Sequence, residues 1–226
     1  MLFTRELSGW AKDDKLPFRN DSAGIFNRTE ELAARVMLAT GRALPVVTAA
    51  RDFKNSVLKS KTYVAMHWRY DKADYGIHCK KVVGGICKAL ETMKPHAVAD
   101  KLLAAIRSTV DNPTHPLKDF AVYIAAPPKE VALIEKMRAQ LLKSGVHVYH
   151  GEHLLHFLKK RHRGCPKAVY EDSIHDYLSL IEMELCSKSQ LFIYSGGSSW
   201  SRNIMMEREA VRTHIGDRQN TAFFGS

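Results

Sequence analysis

Four short apolar segments, separated by longer stretches of helical pattern, limit the folds that this chain can adopt. Each segment is rich in β-branched and aromatic residues, which is typical of a buried strand. The segments are TYVAMHW (62–68), DFAVYIAA (119–126), VHVY (146–149) and QLFIYS (190–195). Strands that alternate with helices form a parallel sheet with helices on both faces. The sequence therefore predicts an α/β fold with a Rossmann-like sheet.

Start and stop signals delimit the helices between these strands. Thr29 can cap a first helix that ends at Gly41. Leu32, Val36 and Ala39 share one face of that helix. Further helices are predicted over 97–110, from Pro127-Pro128 to Gly145, over 171–188, and directly after the fourth strand.

A glycine turn follows the fourth strand in the sequence FIYSGGSSWSRN (192–203). Its glycines allow the backbone to approach a ligand closely. The unpaired N–H groups at the start of the next helix, with the positive end of the helix dipole, suit a phosphate. The alternative is a plain strand-to-helix turn with Ser199 as the N-cap. The turn also lacks the lysine of a P-loop.

Two polar side chains stand at the end of the first strand. His67 and Arg69 are two residues apart, so they point to the same side of the strand. Ligands of such sheets gather at the carboxyl ends of the strands, and an arginine can hold phosphate oxygens with two parallel donors. The alternatives are a surface ion pair of Arg69 with Asp71 or Asp74, and a core histidine at position 67.

A carboxylate lies beside the apolar face of the helix that precedes the fourth strand. That face is formed by Ile174, Leu178, Ile181 and Leu185. Glu182 borders it, so its side chain needs a donor. The ring NH and amine of guanine would suit its two oxygens, and an ion pair with a lysine or arginine is the alternative.

The net charge indicates an anionic binding partner but does not identify which kind. The formal charge of +10 favours an anionic partner, such as nucleic acid, a membrane surface or the phosphates of a small ligand. The basic residues are spread along the chain, and no RNP, KH or zinc-finger signature is present. A nucleic-acid-binding domain is therefore the less favoured alternative.

We expect no metal site. Four histidines recur at every third position across a strand–helix junction, but the sequence shows no carboxylate that would converge with them. They are His147, His150, His153 and His156.

The apolar runs are shorter than the roughly 20 residues of a membrane span. The start, MLFTRELSGWAKDD, is charged too early for a signal peptide, which taken literally predicts a cytosolic chain. Two sequons, at Asn20 and Asn27, are instead compatible with a secreted protein.

Several of these segments, in order, resemble motifs of the protein O-fucosyltransferases. YVAMHWRYDKADYG (63–76) is similar to their H-x-R segment with a following acidic residue and aromatic. IEMELCSKSQLFIYSGGSSWSRNIMMERE (181–209) is similar to their acidic helix, strand and serine-rich loop leading into an arginine-containing helix. AVYIAA (121–126) falls where the family has an intervening strand, and FFGS (223–226) follows the last helix as in some members.

The resemblance implies a role for each matching residue. His67 and Glu182 would hold the guanine nucleoside of GDP-fucose. Arg69 would grip the β-phosphate and act as the catalytic group that stabilises the departing GDP. Asp74 corresponds to the acidic residue before an aromatic, with one extra residue between it and the arginine.

The serine-rich loop would bind the pyrophosphate. By resemblance, Ser198, Ser199 and Trp200 supply backbone amides and hydroxyls, with Trp200 where the family has phenylalanine.

The implied activity is that of an inverting glycosyltransferase, which moves fucose from GDP-fucose to a serine or threonine of a small disulfide-rich extracellular repeat. No metal cofactor is implied, and the implied location is the lumen of the endoplasmic reticulum. The match covers the C-terminal, nucleotide-binding half of a GT-B glycosyltransferase, with 1–60 as a helical lead-in and 61–226 as the GDP-fucose-binding domain. A non-catalytic relic that still binds GDP is the alternative.

Overall fold

The computed structural model describes residues 36, 39, 41–59, 62–69, 94–109, 120–161, 173–194, 198–215 and 220–223. Five strands form one sheet in the order β3-β2-β1-β4-β5, and every neighbouring pair is parallel. They are β1 (Thr62–His67), β2 (Phe120–Ala125), β3 (His147–His150), β4 (Leu191–Tyr194) and β5 (Asn220–Phe223). The four predicted strands and the parallel α/β sheet are thus confirmed, and β5 is an additional strand.

Six α-helices with defined bounds accompany the sheet in the described residues. They are α1 (Leu44–Phe53), α2 (Pro95–Thr109), α3 (Val131–Lys143), α4 (Gly151–Arg161), α5 (Ile174–Ser187) and α6 (Ser199–Ile215). A π-helical turn, Lys54–Leu58, continues α1, and a 3₁₀ turn, Pro128–Glu130, precedes α3. Among the described residues, none of the helices combines the length and the apolar character needed to cross a bilayer.

The core lies in two layers, one on each face of the sheet. Alternate β1 residues face opposite layers, as Val64 and Met66 pack on one side while Tyr63 and Ala65 pack on the other. The first layer is covered by α2 and α3. The second is covered by α1, α4, α5 and α6. This arrangement confirms the prediction of helices on both faces.

Helix α1 was not predicted, although its buried residues recur at helical spacing. These are Val46, Ala49, Ala50 and Phe53, and Pro45 stands in its first turn, where a missing N–H costs nothing. The buried residues pack in the second layer with Tyr123. The predicted division of the chain at residue 60 stays a prediction.

The predicted helix from Thr29 to Gly41 lies mostly outside the described residues. Val36 and Ala39 are helical, and both are exposed.

The predicted end of α3 at Gly145 is confirmed. The φ of Gly145 is 81°, in the left-handed region that glycine adopts at little cost in free energy. The N–H of Gly145 bonds the Leu142 carbonyl and that of Val146 bonds the Leu141 carbonyl, the pattern of a Schellman motif. This sharp stop returns the chain directly into β3.

Candidate functional site

The strand order places a crevice between β1 and β4. From β1 the chain winds through β2 and β3 in one direction along the sheet, and β4 and β5 lie in the other. The connections after β1 and β4 therefore leave toward opposite faces of the sheet. Ligands of open α/β sheets bind at the point between two such strands, outside their carboxyl ends. His67 and Tyr194 end these two strands and pair in register. His67 is thus at the switch point of the sheet.

His67 is held against the first turn of α6. Its Nδ1 lies 2.5 Å from Oγ of Ser201, and both residues are buried. Its ring also packs on the indole of Trp200, with centroids 4.2 Å apart and planes tilted by 40°. The structure therefore brings two predicted site residues, His67 and Trp200, into contact.

Trp200 is fixed in turn by α5. Its indole Nε1–H donates to Oγ of Ser179 at 3.1 Å. This bond links the first turn of α6 to the middle of α5, across the same face of the sheet.

Arg69 lies two residues after His67, and its charge acts on the imidazole. Between them, Trp68 is buried in the opposite layer, and its N–H bonds the Ala125 carbonyl at 2.8 Å. The backbone pairing with β2 thus continues one residue beyond the end of β1. Arg69 is half-buried.

The imidazole of His67 stays neutral at physiological pH. Burial and, to a smaller extent, the positive charge of Arg69 together lower the pKa of His67 to about 3. A neutral imidazole offers one donor and one acceptor. The permanent charge at the end of β1 is therefore that of Arg69.

Helix α6 begins one residue earlier than the predicted cap implied. Its first residue is Ser199, and the Ser198 carbonyl accepts the N–H of Arg202 at 2.9 Å, so Ser198 rather than Ser199 is the N-cap. Ser198 is half-buried and Ser199 is exposed. The first-turn N–H groups and the dipole make this end favourable for an anion. Residues 195–197 of the glycine turn lie outside the described residues.

A buried arginine anchors α6 in this position. Nη1 of Arg208 donates to the carbonyls of Ser187 at 2.9 Å and Ser189 at 2.6 Å, and Nη2 donates to that of Gln190 at 3.3 Å. These carbonyls belong to the end of α5 and the connection to β4, where the helix dipole favours a cation. The anchor fixes α6 relative to the strand that feeds it.

A second anchor joins α5 and α6 to the segment before α1. Nη1 of Arg42 bonds Glu184 at 2.7 Å, and Nη2 bonds Glu207 at 2.6 Å. Burial by itself would lower the pKa of Arg42, but the bonds and charges of Glu207 and Glu184 raise it above its usual value. Neither arginine anchor was predicted, because their partners are distant in sequence.

Glu182 is buried, as its place beside the apolar face predicted. The hydroxyl of Tyr123 donates to its Oε1 at 2.8 Å. A Cβ added to Gly151 would lie 3.3 Å from the same oxygen, so a glycine at the start of α4 lets this carboxyl sit close to the backbone. The described partner is therefore a phenol on β2, and not the lysine or arginine of the alternative interpretation.

Burial raises the pKa of Glu182 to about 8, while the hydrogen bond from Tyr123 acts in the opposite direction. The carboxyl therefore carries a proton through most of the neutral range. The structure places it over β2 and the start of α4, beside the elements that carry His67 and Trp200.

Asp74, the remaining predicted site residue, lies outside the described residues. Ser201, Ser179 and Tyr123 contact predicted site residues but were missed by the sequence analysis. Each makes its contact across a long sequence separation, so no local pattern could have identified it.

The histidine run has a carboxylate partner, which corrects the prediction that none converges on it. Nε2 of His150 lies 2.8 Å from Oε1 of Glu135 on α3. His153 packs edge-on against His150, and both line an open groove of about 840 Å³. His147 and His156 are exposed. Within the described ranges, no three histidine, cysteine or acidic side chains are grouped so that they could hold a metal ion.

Comparison with known proteins finds no matching family profile and no matching curated protein. The fold is similar to that of solved structures of POFUT1, a protein O-fucosyltransferase. POFUT1 in complex with GDP (crystal form III) matches with a TM-score of 0.56 and 15% identity, over 90% of this chain and 51% of that chain. POFUT1 in complex with GDP-fucose (crystal form II) matches with a TM-score of 0.54 and 14% identity, over 90% of this chain and 52% of that one.

This chain therefore spans about half the length of the POFUT1 chains that it matches. The predicted resemblance is confirmed at the level of the fold.

Proposed function

We propose that this chain is the nucleotide-sugar-binding part of a protein O-fucosyltransferase-like enzyme, and that it binds GDP-fucose at the carboxyl ends of β1 and β4. The observation that carries the proposal is the position of His67 at the switch point, beside Arg69 and against the first turn of α6. Arg69 supplies a permanent positive charge that acts on His67, and His67 itself lies against a helix N-terminus. Together they suit the two phosphates of a nucleoside diphosphate.

The proposed division of roles follows the chemistry of each group. Arg69 binds the β-phosphate, where charge grows as the sugar leaves, and Ser198, Ser199 and Trp200 bind the pyrophosphate through the start of α6. His67 and Glu182 hold the nucleoside, and Asp74 contributes from the segment after Arg69. The arginine and the helix terminus supply the positive charge, so we propose that no divalent metal is needed.

The full proposal is an inverting transfer of fucose to a serine or threonine of a folded, disulfide-rich extracellular repeat in the lumen of the endoplasmic reticulum. The proposal is supported by the sequence motifs that resemble those of the family and by the similar fold of POFUT1, which has been solved in complex with GDP-fucose. Transfer is tested with radiolabelled GDP-fucose and a folded epidermal-growth-factor-like or thrombospondin repeat. Label in the repeat supports the transferase, whereas GDP binding without transfer, in the longest natural form of the protein, favours the relic.

Nucleotide binding is tested by calorimetry with GDP and ADP, each with and without EDTA. We expect GDP to bind more tightly than ADP, because the guanine edge offers two donors to Glu182, and we expect EDTA to change neither affinity. Equal affinities for the two nucleotides would contradict the assignment of guanine. Loss of GDP binding in EDTA would contradict the metal-free site.

A further inference from the structure

The hydroxyl of Ser201 is well placed to control the chemistry of His67. Ser201 lies in the first turn of α6, is 1% exposed, and has its Oγ 2.5 Å from Nδ1 of His67. The family resemblance assigns it no role. We propose that Ser201 is a positioning residue, which donates to Nδ1 of His67 and thereby keeps the proton of the neutral imidazole on Nε2.

Two proton arrangements are compatible with this contact. Either the serine hydroxyl donates to Nδ1 and the proton of the ring is on Nε2, or Nδ1–H donates to the serine oxygen and Nε2 is a bare acceptor. The surroundings favour the first arrangement. Arg69 and the start of α6 make this edge attractive to oxygen-rich anions. With its proton on Nε2, the ring can donate to an anion, whereas a bare Nε2 can only accept.

The hydrogen bond from Ser201 selects the tautomer of His67, which packing alone does not select. The contact with Trp200 restricts where the ring of His67 lies, but an aromatic contact does not select which nitrogen carries the proton. In a neutral histidine, the bond made at one nitrogen sets the proton at the other. Ser201 therefore determines the donor that His67 presents.

The tautomer is tested by long-range ¹H–¹⁵N spectra of the ¹⁵N-labelled chain at pH 7 without nucleotide, with His67→Asn to assign the signals. We expect the Nε2–H pattern for His67 in the wild type and in Ser201→Thr, which retains the hydroxyl. Ser201→Ala is expected to give a mixture of the two tautomers. The wild-type spectrum alone can overturn the proposal, should His67 carry its proton on Nδ1.

Ser189→Ala is the matched control. Ser189 is also 1% exposed, and its hydroxyl donates to the Cys186 carbonyl at 2.8 Å. It precedes the amino end of β4, whereas His67 is at the carboxyl end of the neighbouring strand. Its loss is expected to lower stability and leave the His67 pattern unchanged. An unchanged pattern in Ser201→Ala as well would show that Ser201 has only a packing role.

The consequence for binding rests on the proposed function and is measured separately. We expect Ser201→Ala to bind GDP about tenfold more weakly, as for loss of one oriented hydrogen bond, and Ser201→Thr to bind within about twofold of the wild type. An Nε2–H tautomer that depends on Ser201, with no GDP binding by the wild type, would refute the proposed function alone. GDP binding that Ser201→Ala leaves undiminished would refute the role of Ser201 in the nucleotide site.

Discussion

The hydroxyl of Tyr123 donates a 2.8 Å hydrogen bond to Oε1 of Glu182 in the layer between α5 and the sheet. Burial raises the pKa of Glu182 to about 8, and it raises that of Tyr123 well above its usual value. Both groups are therefore neutral near pH 7, which removes the cost of a buried charge. The folded protein keeps a proton on Glu182 that the unfolded chain releases.

Glu182 is expected to make the fold less stable as the pH rises. Its pKa is near 4.5 in the unfolded chain and about 8 in the folded protein. Its contribution is fully present below pH 4.5 and is lost as the pH passes through 8, at about 1.4 kcal/mol per pH unit between them. Urea unfolding of the wild type and Glu182→Gln from pH 5 to 9 measures the difference. Parallel stability profiles for the two proteins would refute the raised pKa.

If Glu182 binds the guanine edge, GDP binding is expected to release its proton. The two guanine donors favour the ionised carboxylate, so the GDP affinity should rise from pH 6 and level off above about 8. Calorimetry in buffers of different ionisation enthalpy counts the protons released. Glu182→Gln should abolish this release. If the wild type releases no proton when it binds GDP, Glu182 does not bind the guanine edge.

His67 is expected to make the fold sensitive to acid. Its pKa is lowered to about 3 from a usual value of 6.5, so its contribution is complete above pH 6.5 and is lost as the pH falls through 3. The slope between these values is on the order of 1 kcal/mol per pH unit. His67→Asn should flatten this part of the urea-unfolding profile. An equally steep loss in the variant would assign the acid sensitivity to other groups.

Arg69 is expected to bind the β-phosphate of GDP. The wild type should bind GDP more tightly than GMP, and Arg69→Ala should reduce that preference by about tenfold to a hundredfold, as for a hydrogen bond to a charged group. Arg69→Lys should restore it only in part, because lysine lacks the two-pronged donor set.

Arg107→Ala is the control for Arg69. Arg107 is an exposed arginine in the last turn of α2, a helix that ends toward the amino end of β2 and so away from the crevice. A loss of GDP preference in Arg107→Ala equal to that in Arg69→Ala would indicate a nonspecific charge effect.

Arg42→Ala is expected to destabilise the fold by about 3 kcal/mol, because it leaves the largely buried carboxylates of Glu184 and Glu207 without their cation. Arg51→Ala should change stability by less than about 0.5 kcal/mol, since Arg51 is 65% exposed and only 3.9 Å from Asp52. Chemical unfolding of both variants checks the contrast. Similar losses of stability would mean that the ion pairs of the largely buried Arg42 side chain contribute no more than an exposed pair.

The sequence determined the elements that can be recognised locally. The four apolar strands, the helices α2, α3, α5 and α6 and the stop at Gly145 follow from periodicity and from turn chemistry, which act over a few residues. The same reasoning put His67 at the end of a strand and a glycine turn before α6. It also recognised that Glu182 borders an apolar face, because helical spacing alone fixes that face.

Only the tertiary structure decided which of these residues meet. The strand order, the fifth strand and the bond between Ser201 and His67, which are 134 positions apart, depend on how the helices pack across the sheet. Strand β5 begins with Asn220 and Thr221, and its apolar residues are too few to mark a strand. The partner of Glu182 could not be read from the sequence, because a buried carboxyl accepts any donor that packing brings within reach. Packing brought the phenol of Tyr123 and buried the carboxyl, and that burial keeps the proton on Glu182.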